Sequence, residues 1–390
     1  MQNLRITLGL FFGLVIGALG QSTWTSRSHP FPVSAPLSSV TWTGTQLVAV
    51  GSATTNLSSP DGIAWTSRSS GQTNLLNFVL WANSQFVVLG FNGVNLTSPD
   101  GLTWTSRTSG TTNLLYSACW TGSQYVAVGN GGVIRTSPNG ITWTSQVSGV
   151  SDGLYSVAWS GGKLVAVGYK SGAGIILTSS DGVTWTSQTS GSTTQLYSVA
   201  WMGTQFVVVG VGGNVLTSPD GVVWTKQVSG VTTDLRGLLW TGTVLVAVGS
   251  SGTILTSPNG INWTPQTSGT PYLLVSVIWT GTQFVAVGGT PAIILTSPNV
   301  TAIYPRGNLH NGLSLRSTAS QLFVSLPNSM SGHDTRAFIY TMSGDKMIEV
   351  TTPGSNHEIG IPLIGMAQGM YLFAAEGKVA KLIQPFMITR

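Results

Sequence analysis

Between residues 114 and 149 the chain alternates short apolar runs with small polar breaks. Leu115-Tyr116-Ser117-Ala118-Cys119-Trp120 stops at Thr121-Gly122-Ser123, and Gln124-Tyr125-Val126-Ala127-Val128-Gly129 stops at Asn130-Gly131-Gly132. Val133-Ile134-Arg135-Thr136-Ser137 then meets the turn Pro138-Asn139-Gly140, and Ile141-Thr142-Trp143-Thr144-Ser145-Gln146 completes the pattern. Four runs of this length, each bounded by Gly, Asn or Pro, predict four consecutive strands joined by hairpins. Asn-Gly and Asp-Gly suit such turns because Gly takes positive φ without penalty and the Asn or Asp side chain caps the local backbone. No stretch between residues 21 and 300 carries a helical period.

The unit repeats. Its turn, Ser-x-(Asp/Asn)-Gly-x-x-Trp, recurs with Trp65, Trp104, Trp143, Trp185, Trp224 and Trp263 spaced 39, 39, 42, 39 and 39 residues apart. Asp61, Asp100, Asn139, Asp181, Asp220 and Asn259 fill the acid-or-amide position. Four strands in about 40 residues is the period of one propeller blade, which must stack with others to bury both of its faces. A second tryptophan ends each predicted inner strand: Trp42, Trp81, Trp120, Trp159, Trp201, Trp240 and Trp279. That predicts seven blades. The turn tryptophans number six, and Trp24, in Trp24-Thr25-Ser26-Arg27, matches Trp65-Thr66-Ser67-Arg68 and supplies the seventh, so that all 14 tryptophans of the chain are used. The last turn, Ser297-Pro298-Asn299-Val300, loses its Gly and Trp. Residues 22–28 are therefore expected to complete the blade formed by residues 273–297, closing the ring and removing its free sheet edges.

The rest divides by composition. Residues 1–20 pair Arg5 with an apolar run and end in Ala18-Leu19-Gly20, the pattern of a secretory signal peptide. The propeller spans 21–297, and 298–312 lose the period and read as a linker. From 313 to 390 come about seven short alternating runs together with all three glutamates, Glu349, Glu358 and Glu376, which predict a small Ig-like β-sandwich. The fold class is thus all-β throughout. The formal charge of +5 is diffuse, and no basic run is interleaved with aromatics, which argues against nucleic acid. One cysteine, Cys119, excludes an internal disulfide and reads as a small buried apolar residue.

The Ser-Pro-Asp-Gly-x-x-Trp-Thr turn resembles the Asp-box, or BNR, repeat of sialidase-like propellers. The longer pattern Leu-x-Ser-Val-x-Trp…Val-Ala-Val-Gly…Ile-Leu-Thr-Ser-Pro-Asp-Gly is similar to the repeats of photosystem II assembly-factor propellers. In those families the turn is a structural hairpin between third and fourth strands, on the face away from the ligand, which implies a turn-forming role for its Asp and Asn residues here. The C-terminal region resembles the sorting domain of type IX secretion cargo, on Thr341-Met342-Ser343-Gly344-Asp345-Lys346, Gly369-Met370-Tyr371-Leu372-Phe373 and Lys378-Val379-Ala380-Lys381-Leu382-Ile383. The inserted Asp345 departs from that pattern. The resemblance implies export to a bacterial surface or medium, with residues 313–390 engaging the secretion machinery.

The repeats offer little to a catalyst. A glycosidase needs two facing carboxylates. There is no Glu here, and outside the turns the only acids are Asp152 and Asp234, two blades apart in loops that follow outer strands. No His lies within the repeats, which removes histidine triads and zinc sites. Arg27, Arg68 and Arg107 are repeat-equivalent and do not form a converging trio. Arg236 lies beside Asp234, and Tyr116, Tyr155, Tyr197 and Tyr272 recur nearby. These form either a polar aromatic rim suited to sugars or peptides, or a set of surface carboxylates and core-facing tyrosines. Departures from the repeat at Asn92, at Tyr169-Lys170 and at Asp234-Leu235-Arg236 mark further candidate positions. The resulting expectation is a secreted, non-catalytic propeller that binds a glycan or an extracellular protein. It would act as a monomer, with no cofactor, no metal and no membrane span once the signal is removed. The alternatives are a divergent sialidase-like glycoside hydrolase using Asp152 and Asp234, and an assembly-factor or scaffold propeller without a small ligand.

Overall fold

The computed structural model describes residues 24–30, 35–52 and 55–298. Beyond these it describes the strands at 314–317, 321–325, 335–341, 346–352, 358–362, 369–376 and 381–388. The expected signal peptide and linker lie outside the described residues. The chain divides into two compact units, Met1–Ala302 and Ile303–Arg390.

The first unit is a seven-bladed propeller of four-stranded antiparallel sheets. Blade 3 is typical, with strands Leu115–Trp120, Tyr125–Gly129, Ile134–Ser137 and Thr144–Gln146. Blade 7 takes Leu274–Trp279, Gln283–Gly288 and Ile293–Pro298 from the end of the ring and its outer strand, Thr25–Ser26, from the beginning. Thr25 pairs with Thr296 and Ser26 with Leu295, as the sequence predicts. Trp24 packs on Phe284 with ring centroids 6.1 Å apart, as Trp104 does on Phe86 at 5.9 Å, so Trp24 fills the seventh turn-tryptophan position. The third strand of blade 7 runs through Pro298, one residue past the predicted end of the ring.

The hydrophobic pattern explains why the sheets stack. In every second strand, the run Val-Ala-Val-Gly or its equivalent is buried throughout, because both faces of the sheet are covered by neighbouring blades. The core is accordingly divided into seven clusters, one at each blade–blade interface. Between blades 4 and 5, Val165, Val167 and Ile176 meet Leu196, Phe206 and Leu216.

Two recurring features set the geometry of the faces. The glycine ending each second strand lies against the start of the inner strand, where a Cβ on Gly129 would overlap the carbonyl of Leu114, and one on Gly249 that of Asp234. Directly beside this close approach, every inner strand carries a bulge after its first leucine, between Leu115 and Ser117 in blade 3 and at the same place in the other six. The bulged residue leaves the ladder and is freed from pairing. At the opposite end lies the Ser-x-(Asp/Asn)-Gly-x-x-Trp turn. In blade 2, Ser98 Oγ accepts the Gly101 N–H at 2.8 Å and donates to Asp100 Oδ1 at 3.0 Å. Asp100 Oδ1 in turn accepts the N–H groups of Leu102 and Thr103, each at 2.8 Å. The same bonds form around Asp61, Asn139, Asp181, Asp220 and Asn259. Trp65, Trp143, Trp185, Trp224 and Trp263 each donate their indole N–H to the carbonyl of the turn glycine. Five donors of the right reach suffice to hold the turn, and an amide oxygen serves as well as a carboxylate.

These turns also tie the blades together. The residue opening a second strand donates to the turn carbonyl of the following blade: Gln85 to Asn139 at 2.7 Å, Gln124 to Asp181 at 2.8 Å, Lys163 to Asp220 at 2.7 Å, Gln205 to Asn259 at 2.8 Å, and Gln283 to Asp61. Blade 6 carries Val244 there instead, buried in a cluster with Trp24, and in sequence the blade that follows lacks the turn Gly and Trp. Arg27, Arg68 and Arg107 occupy equivalent outer-strand positions, donating to Thr296, Ser58 and Thr97 hydroxyls at 2.7, 2.8 and 3.0 Å. Gln146, Gln188, Gln227 and Gln266 make the same bond in the other blades.

In the second unit the seven strands fall at the predicted places and form two antiparallel sheets. One has the order Ser314–Ser317, Gln321–Ser325, Glu358–Pro362. The other has the order Lys346–Thr352, Thr335–Thr341, Gly369–Glu376, Lys381–Ile388. Residues 342–345, which carry the expected hairpin glycine and Asp345, and 377–380 lie outside the described residues.

Candidate functional site

The antiparallel order within each blade places the Ser–Asp–Gly–Trp turns on one face and, on the other, the loops leading into inner strands together with the hairpins between second and third strands. The candidates Asp152, Asp234, Arg236, Tyr169, Lys170 and Asn92 all belong to this second face. The six turn acids and amides belong to the first, as structural groups.

The bulged position of the inner strands decides the chemistry of the second face. From blade 1 to blade 7 it holds Ser38, Asn77, Tyr116, Tyr155, Tyr197, Arg236 and Val275. The inner strand of each blade packs against those of both neighbours, so these residues form a ring at the mouth of the central channel. Four consecutive blades supply a continuous arc. Tyr116 meets Tyr155 edge to face, with centroids 5.1 Å apart and planes at 80°, and Tyr155 lies 5.8 Å from Tyr197 at 40°. The Arg236 guanidinium sits over the Tyr197 ring, 3.9 Å from its centroid, a cation–π contact worth about 1 kcal/mol at a half-buried site. Asn77 extends the arc by donating its amide to the Tyr116 carbonyl at 3.0 Å. All three tyrosines are half-buried. They are neither fully buried nor loose on the surface.

Asp234 is the group that orients Arg236. Its Oδ2 accepts from Arg236 Nη2 at 3.0 Å and its Oδ1 accepts the Gly212 N–H at 3.1 Å. Arg236 is thereby fixed by a carboxylate on one side and an aromatic face on the other, and its charge is neutralised in place. Asp152 stands two blades away, accepts a 3.3 Å bond from Ser151 Oγ, and is close enough to influence the Tyr155 phenol. Burial pushes that phenol above its ordinary range, Arg236 pulls it down, and Asp152 and Tyr169 raise it. Tyr197 is likewise raised by burial, against the pull of Arg236. Both phenols therefore stay protonated at neutral pH and serve as hydrogen-bond donors.

Blade 4 breaks the ring in a second way. In blades 2, 3, 5 and 6 the second and third strands are joined by a three-residue 3-10 turn. In blade 4 they continue as a true hairpin to Lys170 paired with Ala173. Tyr169 and Lys170 are carried on this extension, and the Tyr169 hydroxyl accepts the Gly172 N–H at 2.9 Å, which stiffens it beside Tyr155.

Two sequence candidates fall outside the arc. Asn92 sits in the turn of blade 2, 3.5 Å from Asn74 Oδ1, and lines a separate cleft toward blade 3. Tyr272 is exposed in the loop before the inner strand of blade 7, two residues short of Leu274, and so does not share the position of the other three tyrosines. Cys119 belongs to an inner strand, and burial pushes its thiol up to about 12. At that value it is an apolar filler and no nucleophile.

No protein-family model and no curated protein matches the chain. Solved structures share its fold. YCF48 bound to D1 peptide superposes with a TM-score of 0.61 at 17% identity, over 73% of this chain and 98% of that one. A catalytically inactive virginiamycin B lyase from Staphylococcus aureus with quinupristin gives 0.63 at 7% identity, over 71% and 99%. The WD40 propeller domain of Doa1 gives 0.58 at 11%, over 73% and 99%. These likenesses establish the propeller.

Proposed function

We propose that the protein is a non-catalytic binding propeller whose channel-mouth arc receives a polypeptide segment. The observation that carries this reading is the run Tyr116–Tyr155–Tyr197–Arg236, contributed one residue per blade by four adjacent blades. Tyr and Arg are enriched among the side chains that anchor protein interfaces. Tyr offers large contact area with few rotamers to freeze, and Arg236 is already held by Asp234 and Tyr197. A glycan is the weaker occupant, since a pyranose stacks on an open ring face, and here Tyr116 and Tyr155 pack edge to face and Arg236 takes one face of Tyr197. Catalysis gains nothing from Asp234, whose two oxygens are committed to Gly212 and Arg236. YCF48, at 17% identity, is seen with a bound peptide, which supports the same use of this fold.

The signal-like residues 1–20 and the sorting-like residues 313–390 support a secreted or surface-attached location reached by a type IX-like route. The second unit, in this reading, is an Ig-like sandwich that serves export.

The experiment is selection of displayed peptides on the full-length protein, run beside a glycan array, with Tyr155→Ala as the control. Enriched peptides should bind the parent protein and lose at least about tenfold in affinity on Tyr155→Ala, the cost of truncating one interface anchor. Glycan binding lost on the same substitution would replace the peptide by a sugar. Retention of every selected ligand by Tyr155→Ala would remove the arc as the site.

A further inference from the structure

The interface between blades 2 and 3 departs from the other six in its core. Each remaining interface buries a third-strand leucine: Leu57, Leu96, Leu177, Leu216, Leu255 or Leu295. Blade 3 has Arg135 at that position. The facing position on the preceding blade is Ile or Val at five interfaces, supplied by Ile134, Ile176, Val215, Ile254 and Ile294. At this one it is Asn95, only 1% exposed; at the interface of blades 1 and 2 it is Asn56, equally buried but opposite an intact Leu96, so only here are both halves polar. Both apolar halves of a core contact have been exchanged for polar groups at the same interface. The apolar cluster left there, built on Val87, Leu89, Leu115 and Tyr125, has no third-strand member among its fully buried residues.

A cleft of about 710 Å³ opens beside this pair. Volumes of this size suit small-molecule sites. Arg135 and Asn95 both line it, with Arg107, Asn74, Asn92 and the hydroxyl of Ser109 among the other polar groups, and no acid. Arg135 Nη2 donates to the Gly110 carbonyl, but its Nε is buried without an acceptor. Asn95 donates to the Gly140 carbonyl at 3.1 Å, but its Oδ1 is buried without a donor. Among the described residues the one ion pair is Arg236 with Asp234, so no carboxylate neutralises Arg135. Replacing a core leucine by an unpaired guanidinium costs stability, and leaving a buried acceptor empty costs more. A ligand that brings an anion to the exposed end of the Arg135 guanidinium would supply the missing charge partner.

We infer that this cleft is a second binding site, for an anionic saccharide. The carboxylate or sulfate of the ligand pairs with Arg135, aided by Arg107, whose Nε is held by Thr97 at 3.0 Å. The amide and hydroxyl lining, Asn74, Asn92 and Thr111 among it, takes the ring hydroxyls. The lining includes no aromatic ring and Val94 is its single large apolar side chain, so nothing there anchors a hydrophobic peptide residue.

The test titrates the full-length protein with an oligogalacturonate, a sulfated oligosaccharide, a neutral oligosaccharide of equal length and inorganic sulfate. The variants are Arg135→Leu, which installs the residue of the other six blades, and Tyr155→Ala. The acidic saccharide should bind, more weakly as salt rises. It should lose at least about tenfold on Arg135→Leu, the loss of one charge-assisted bond. The thermal midpoint of Arg135→Leu should not fall, and Tyr155→Ala should bind the saccharide like the parent. The two acidic probes tell carboxylate from sulfate recognition. Equal binding of the neutral saccharide, of sulfate alone, or of Arg135→Leu would overturn the site. Failure of every probe would reduce Arg135 to a tie on the Gly110 carbonyl.

Discussion

The two faces of the ring are made from the same repeat and use it in opposite ways. On the face of the Ser–Asp–Gly–Trp turns, six blades repeat one hydrogen-bond set within a few tenths of an ångström, and the two Asn variants keep every bond. On the channel-mouth face, the equivalent backbone positions hold Ser, Asn, Tyr, Tyr, Tyr, Arg and Val. The first face is constrained because these turns serve their own blade and the one before it. A change there is felt twice. The second face is released because the bulge removes its residue from the ladder, so that side chains vary without breaking a strand pair. Uniformity marks what holds the molecule together, and variation marks the face on which the proposed partner would be read.

That contrast is open to direct attack. The largest effect is expected from Trp65→Ala on the turn face. It empties a buried site, removes the bond to Gly62, and should cost about 3–5 kcal/mol, measured by denaturant unfolding, with ligand binding at the arc intact once folded. Asp234→Asn is its counterpart on the other face. It frees Arg236 from its charge partner, and binding should weaken by about three- to tenfold in a titration while the midpoint of unfolding moves little. A large stability loss would make Asp234 a structural pin instead. Next is Gln124→Ala, which cuts the tie to the Asp181 carbonyl and should cost about 1 kcal/mol. A null effect by the same unfolding assay would show that the ties are ornaments of packing.

The smallest effect is read in acid. Hydrogen bonds from Thr184, Val183 and Ser179 lower the Asp181 carboxyl from 3.8 to about 2, and Asp61, Asp100 and Asp220 are lowered for the same cause. A folded-state value below the unfolded one means that the stabilisation is complete above about pH 4. It is withdrawn as pH falls through about 2. Asp181→Asn should match the parent at pH 7 and lose less on acidification across that window, as followed by thermal midpoints. An equal acid slope would place the sensitivity in other groups.

Most of the scaffold was legible in the chain because the repeat is read from turns and tryptophans, which are local. Even the exchange of Trp24 into the last blade follows from counting. The arc was half legible. Tyr116, Tyr155 and Tyr197 share a visible register with Arg236, whereas Tyr272 is a near neighbour in the repeat that lies three residues before the bulged Val275. What makes the arc a candidate site is a set of contacts between blades, and no single repeat contains them. Arg135 and Asn95 escaped notice for a plainer reason. Each looks ordinary in its own strand, and only alignment of all seven blades exposes a lost leucine and a lost isoleucine across one interface.

The strand Thr25–Ser26 also imposes an order in time. Arg27 reaches Thr296 across 269 residues, so this contact closes the longest loop in the ring. The chain entropy of joining such distant points is about 5 kcal/mol beyond the constant term, and nothing repays it until blade 7 exists. A nascent chain emerging from its N-terminus can stack blades as they appear, but its first strand must wait for the last. At this seam blade 6 sets Val244 against Trp24. The molecule thus carries a latch that cannot engage on an incomplete copy, and a truncated chain is left with an open sheet edge as the signal of its own defect.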